Sequence, residues 1–353
     1  MPQEIQLKEV SKAKHHILEK YFPAWAKILG SRHPTLVYVD CFAGPGQYAG
    51  GEEGSPLIIL NKARELVQKS DFSIVAIFVE KNAATANTLR SQIPKDLPNG
   101  VEAVVLNEDA NNFVQELLNV LPEGIPAFFF IDPYGHPLTI PVMNQILSRP
   151  RTEILLNLMW YALNMHLNNP RVKGTITKMF GDSNWLDAPF AKQSGSERET
   201  AFVDYFLFKL DAEYKLKFRV RFSPEDRVPG GQSRTKYYLI HLSNHPKAAL
   251  LMKEVMWRIG DEEGTFDYSA THQGVLVSST PNVEELIEYL KRRYLNSGRK
   301  LTFNHLREET WELPFIEKRY REAIRRLEKA GEVRVDRIDS GKNGIKGGDL
   351  LIF

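Results

Sequence analysis

The sequence contains a single cysteine, Cys41, which rules out an intramolecular disulfide and any Cys-rich zinc or iron-sulfur centre. It also has no long apolar run. Stretches such as 127–131 fall far short of the ~20 residues that cross a bilayer, and the N-terminal MPQEIQLKEV has no h-region. A soluble, cytoplasmic protein is expected, with no membrane partner. Excess charge is scarce too: a net +2 over 353 residues gives no global reason to bind nucleic acid, so such a partner must be sought in local patches. The histidines show no H-E-x-x-H or comparable spacing, so His15 with His16, and His241 with His245, read as surface or hydrogen-bonded residues. No metal site is predicted. Internal repeats and low-complexity tracts are absent as well.

What is present is an alternation of β-branched and aromatic runs with helical-period segments from residue 36 to about 158. Strands are predicted at 36–41, 74–80, 101–107, 127–132 and 153–158, and helices at 12–29, 56–69, 82–93, 110–121 and 138–148. The first three crossovers are long enough to join parallel strands, which is the α/β signature. A helix at 197–210 then leads to LKFRVRF and, past PEDRVPGGQSR, to KYYLIHL, read as an antiparallel hairpin. After a helix at 246–258, the polar DEEGTFDYSATHQG reads as a linker, placing a first domain at 1–260, a linker at 261–281 and a second domain at 282–353. Three helix candidates (282–294, 302–309 and one from Pro314 to before Gly331), followed by EVRVDRI, the tip DSGKNGIKGG and DLLIF, predict a winged helix-turn-helix with a two-stranded wing.

The densest signal is the loop after the first strand, YVDCFAGPGQYAGGEEGSP, with five glycines between positions 44 and 54. Gly44 to Ala49 formally satisfies G-x-G-x-x-G/A, the dinucleotide fingerprint. Against a pyrophosphate stand Pro45, which has no N–H to offer, and Glu52 and Glu53, which bring negative charge to the helix start where an anion would sit. A cationic ligand without phosphate, such as S-adenosylmethionine, suits the loop better. A tight strand-to-helix turn with a capping acid is the plainer alternative. Glu80, closing the second strand, is placed to accept two ribose hydroxyls, although it follows Gly46 by 34 residues rather than about 20. Asp109, after the third strand, is a candidate for an adenine amino group and equally for a helix N-cap. At the fourth strand end FFFIDPYGHP runs into Asp132-Pro133-Tyr134-Gly135, an acid and an aromatic at the carboxyl edge of a sheet, where ligands bind in this architecture. Turn chemistry alone accounts for its Pro and Gly. Asn157 is a candidate polar contact, and Trp160 and Tyr161 are pocket walls or core.

These motifs carry resemblances. Asp40, Phe42, Gly44 and Gly46 resemble the first motif of class I methyltransferases, where the acid lies near the methionine end of S-adenosylmethionine. Asp132-Pro133-Tyr134 resembles the D/N-P-P-Y/F element of amino-methyltransferases, and more closely the D-P-F-G form of tRNA guanine N2-dimethyltransferases. In that element the acid and a backbone carbonyl accept hydrogen bonds from an exocyclic amine while the ring stacks on the base. Together with GSPLI at 54–58, LLNLMWYALN at 155–164 and LSNHPKAALLMKEVMW at 242–257, the pattern is similar to the three-Cys-motif partner family. The resemblance implies a class I methyltransferase (Rossmann-like), mostly parallel sheet, and a Cys-motif protein as a partner. Cytosine C5 methylation is excluded, because it needs a cysteine beside the target base and Cys41 lies inside the cofactor loop. The expected activity is methyl transfer to an amine nitrogen, on a nucleic-acid base, with Asp132, Pro133 and Tyr134 presenting the target. Methylation of a small molecule or partner protein, and a non-catalytic cofactor-sensing regulator, remain as alternatives. The basic stretch EKRYREAIRRLEK supplies Lys318, Arg321 and Arg325, and the wing supplies Lys342 and Lys346, as candidate phosphate contacts.

Overall fold

The computed structural model describes residues 9–48, 50–133, 135, 138–222, 234–263, 266–270, 282–341 and 344–353. In chain order the first half comprises α1 (Glu9–Gly30), β1 (Thr35–Asp40), α2 (Ser55–Val67), β2 (Ser73–Val79), α3 (Ala83–Gln92), β3 (Val101–Leu106), α4 (Ala110–Val120), β4 (Ala127–Ile131), α5 (Ile140–Leu147) and β5 (Thr152–Leu158). Four helices follow: α6 (Trp160–His166), α7 (Lys173–Phe180), α8 (Pro189–Lys192) and α9 (Gly195–Phe208). The hairpin β6 (Tyr214–Arg221) and β7 (Thr235–Ser243), α10 (Pro246–Glu263) and β8 (Phe266–Ala270) complete this part.

The strands form one eight-stranded sheet in the order β3-β2-β1-β4-β5-β7-β6-β8. β1 to β5 are parallel, whereas β7, β6 and β8 join by antiparallel pairing. All five residues of β4 (AFFFI) are buried, as a central strand covered on both faces requires. Side chains alternate between the two layers: Tyr38, Phe128 and Phe130 pack with Tyr21 and Trp25 of α1, while Val39, Phe129 and Ile131 pack with Met143 of α5 and Phe202 of α9. The chain leaves β1 toward one edge of the sheet and returns to β4 on the other side of β1. That reversal is the topological switch point of a doubly wound sheet, and a crevice opens there at the carboxyl ends of the two strands.

The second unit contains α11 (Val283–Tyr294), β9 (Lys300–Thr302), α12 (Phe303–Glu309), α13 (Glu317–Lys329), β10 (Arg334–Asp336) and β11 (Leu350–Ile352) around its own apolar core. It is a winged helix-turn-helix in which β10 and β11 pair as the two-stranded wing read from sequence, and β9 adds a third strand in the order β10-β11-β9. β9 escapes notice because three residues show no periodicity and their pairing to β11 is distant in the chain. Residues 266–270, read as linker, are the edge strand β8, and α10 extends past Arg258 to Glu263.

The two units are joined through α10. Lys253, almost wholly buried, donates to the carbonyl oxygens of Trp311 and of Leu313, the latter at 2.8 Å. Glu254 accepts from the Arg307 guanidinium at 3.2 Å and from the Glu317 N–H at 2.6 Å, and Arg307 also pairs with the Glu317 carboxylate. Trp311 meets Tyr214 edge-on at 4.9 Å, and Ile316 packs against the same core layer. Among the described residues, no helix is long and apolar enough to cross a membrane, and no group of three or more His, Cys, Asp or Glu could hold a metal ion.

Candidate active site

A pocket lies at the switch point, lined by the loop from Phe42 to Tyr48, by Gly54 and Ser55 at the start of α2, by Asp132 and Pro133 after β4, by Asn157 and Met159 at the end of β5, and by Lys14, Lys236 and Tyr237. The glycine loop folds back on itself. Gln47 bridges Glu53, and the Gly54 N–H donates to the Gly46 carbonyl at 2.6 Å, which delivers the chain into α2. Asp40 lies wholly buried behind this wall. Its Oδ2 accepts from the Ser55 hydroxyl at 2.6 Å and its Oδ1 from the Phe42 N–H at 3.2 Å. Burial pushes its carboxyl up to about 7, a rise that these two hydrogen bonds oppose. Glu80 clamps the loop from the other side, accepting from the Gly44 N–H at 3.1 Å and from the Asn82 N–H at 2.7 Å. Asp109 stands apart from the pocket lining. It caps α4 through the Asn111 N–H at 3.0 Å and pairs with Lys81, whose hydrogen bond holds the carboxyl below its usual range.

Asp132 is the group most closely held. Its Oδ2 is paired with the Lys14 ammonium and its Oδ1 accepts from Asn157 Nδ2 at 2.6 Å. Lys14 belongs to α1 and lies 118 residues from Asp132, so no local pattern announces it. Tyr21, two turns later on the same helix face, donates its hydroxyl to Glu153 of β5, which His241 Nε2 also meets at 3.0 Å. Asn157 lies four residues beyond Glu153, on the same face of β5. Its Oδ1 is buried without a partner among the described residues. His15 and Tyr48 close the edge, their rings 6.0 Å apart. Burial lowers the imidazole to about 4 and raises the phenol, so both are uncharged at neutral pH. Tyr134 lies outside the described residues; Pro133 is buried beside Asp132.

Residues 260–340 match the family described as the GMT-like wHTH domain. No curated protein matches the sequence. Solved structures to which the chain is similar include protein LPL1258 from Legionella pneumophila str. Philadelphia 1, at 12% identity over 75% of this chain and 97% of that one, with a TM-score of 0.44. Human methyltransferase-like protein 13 in complex with SAH is similar at 12% identity over 70% of this chain and 91% of that one, TM-score 0.35. The O-methyltransferase from Bacillus cereus in complex with SAH shares 16% identity over 69% of this chain and 92% of that one, TM-score 0.32.

In the winged unit the basic residues divide. Arg321 is half-exposed, paired with Glu317 one turn earlier and lying 6.0 Å from the centre of the Phe303 ring. Arg319 pairs with Glu322 at 3.0 Å and Arg326 with Glu284 at 2.6 Å. Lys318, Arg325 and Lys346 are exposed and free of ion pairs among the described residues, and Lys342 lies outside them. Of the five expected phosphate contacts, Arg321 is thus engaged within the domain.

Gly44 and Gly46 differ in a way that can be tested. Both have positive φ, 68° and 87°. A Cβ on Gly44 would meet nothing within 4 Å and so would project into the pocket, whereas one on Gly46 would fall 2.4 Å from Gln92 Oε1 and 2.8 Å from Leu89 Cδ1 of α3. Gly46→Ala is therefore expected to lose about 1–3 kcal/mol of stability. Gly44→Ala should lose about 1–2 kcal/mol from its left-handed backbone and, in addition, ligand affinity. Thermal melts with and without ligand separate the two outcomes.

Proposed function

We propose that the protein is an S-adenosylmethionine-dependent methyltransferase acting on an amine nitrogen of a nucleic-acid base. The observation that carries this reading is the meeting, at the switch point, of a loop with an open backbone face at Gly44 and an acid, Asp132, held by Asn157 at the edge of the same pocket. The donor set fits this cofactor better than a dinucleotide. Pro45 and Pro56 have no N–H, and the Ser55 hydroxyl is committed to Asp40, so the start of α2 is poorly equipped for phosphate. When bound, S-adenosylmethionine supplies a methyl group on a positively charged sulfur.

In this reading Phe42, Gly44 and Gly46 form the cradle, and Asp40 supports it through Ser55. Glu80 accepts the ribose hydroxyls with lone pairs left over from its two backbone bonds. Asp109 flanks the adenine end. Asp132 and the Pro133 carbonyl accept from the acceptor N–H groups, which keeps the nitrogen lone pair turned toward the methyl group, and Tyr134 carries the ring that stacks on the base. The quoted stretches of the first domain support membership of the three-Cys-motif partner family, with a Cys-motif protein as a partner.

Calorimetry should show S-adenosylmethionine and its demethylated product binding and NAD not binding, with Glu80→Ala weaker by about 1–3 kcal/mol. Tight NAD binding without any response to the sulfonium compound would overturn the reading. Methyl-labelled cofactor incubated with fractionated RNA, DNA, protein and metabolites then identifies the acceptor. If Lys318, Arg325 and the wing lysines contact about three to five phosphates, log affinity should fall with log salt at a slope near −3 to −4 on duplex substrates. Charge reversal at Lys318 and Arg325 should flatten that slope by about one unit per lost contact, whereas reversal at Arg321 should act mainly on folding. Equal slopes in wild type and the Lys318 and Arg325 double variant would make the winged unit a protein-docking module.

A further inference from the structure

The proposed function asks Asp132 to accept from the acceptor amine. Its oxygens keep lone pairs beyond the bonds from Asn157 at 2.6 Å and from Lys14, as those of Glu80 do, but here one of the two bonds is an ion pair with the Lys14 ammonium. The side chains of Lys14 and Asp132 are each 13% exposed, and both line the pocket. Screening by water is accordingly weak, and an incoming amine must compete with a full positive charge. Asn157 is fixed in place by neighbouring strands, but Lys14 reaches the site on a flexible four-carbon stem that can be redirected by another anion. Lys14 and Lys236 are the two cationic side chains that line the pocket among the described residues, so an anionic group entering it has few other charges to meet.

We infer that Lys14 is exchanged between two carboxylates, held by Asp132 in the free protein and by the cofactor's amino-acid carboxylate in the complex, so that cofactor binding uncovers Asp132 for the acceptor. This rests on the cofactor reading above. Lys14 is a positioning residue: it forms no bond with the transferred methyl and acts by withdrawing from Asp132. The order of binding follows, cofactor before acceptor.

Two probes test the exchange on the full chain by calorimetry. S-adenosylhomocysteine keeps the carboxylate and lacks the sulfonium charge; S-adenosyl-3-thiopropylamine has the same skeleton without the carboxylate. Lys14→Met should weaken the first by about 10- to 100-fold, the loss of a charge-assisted hydrogen bond, and leave the second within about 2-fold. Asp132→Asn should tighten S-adenosylhomocysteine several-fold, because the competitor for Lys14 is neutralised, and this gain should vanish when Lys14→Met is also present. A merely structural ion pair would not raise affinity when broken. If Lys14→Met fails to fold, the sign of the Asp132→Asn effect still decides. Weaker binding in Asp132→Asn, or equal loss of both probes in Lys14→Met, overturns the exchange while wild-type binding keeps the cofactor reading. Failure of wild type to bind either probe removes both.

Discussion

Asp132→Ala is expected to abolish methyl transfer, by roughly 100-fold or more, while the cofactor binds at least as tightly as to wild type. The carboxylate stands where β4 delivers it, and Asn157 and Lys14 hold it from two other elements. On the proposed function, removing it takes away the group that orients the acceptor nitrogen but leaves the glycine loop, Ser55 and Glu80 undisturbed. Transfer should be measured on the acceptor fraction that takes label from wild type, with cofactor affinity and melting temperature in parallel. Unchanged turnover would reduce Asp-Pro-Tyr-Gly to a turn; lost cofactor affinity would assign Asp132 to the cofactor instead.

Arg307→Ala should destabilise the protein by about 3–5 kcal/mol, the cost of breaking a buried ion pair from one side. Arg307 is 8% exposed and holds the Glu254 carboxylate of α10 and the Glu317 carboxylate at the start of α13. Without it the Glu254 carboxylate, 19% exposed, loses its cationic partner beside Glu317, which keeps its pair with Arg321. Part of the loss is recovered at Lys253, which is depressed to about 7 first by burial and next by the charge of Arg307. Denaturant unfolding monitored at Trp311, which packs on Tyr214 within the same contact, gives the magnitude. Glu254→Gln is the milder comparison, since its amide oxygen can still accept the Glu317 N–H. Loss below about 1 kcal/mol in Arg307→Ala would mean that the Lys253 bonds to the Trp311 and Leu313 carbonyls and the apolar contacts of Trp311 and Ile316 hold the units together without it.

How much of this was legible depended on distance along the chain. β1 to β5 and the crossover helices were readable because each is a local run with its own period, and Asp40, Glu80 and Asp132 follow as strand ends. Lys14 was not readable, since its meaning comes from Asp132, 118 residues away, and α1 shows only an ordinary amphipathic helix. Gly46 and Gly44 look alike in sequence, and only the position of α3 tells them apart. Asp109 had two readings, ligand and cap, and its observed bond to the Asn111 N–H is the capping one. The charge of helix 317–329 was visible, but the glutamates that consume it at Arg321 and Arg326 act across turns and from α11.

The edge strand β8 has a consequence for anyone who would divide the chain. It pairs with β6 from Leu216↔Ala270 to Val220↔Phe266, so the border between the units, as composition suggests it near residue 260, falls on the wrong side of a strand. A fragment of the first unit ending there would present the open hydrogen-bonding rim of β6 to its neighbours, a template for chains to stack upon one another in expression and storage. A fragment carried through Ala270 keeps that rim covered, and the winged unit taken from Asn282 onward leaves nothing of the sheet behind.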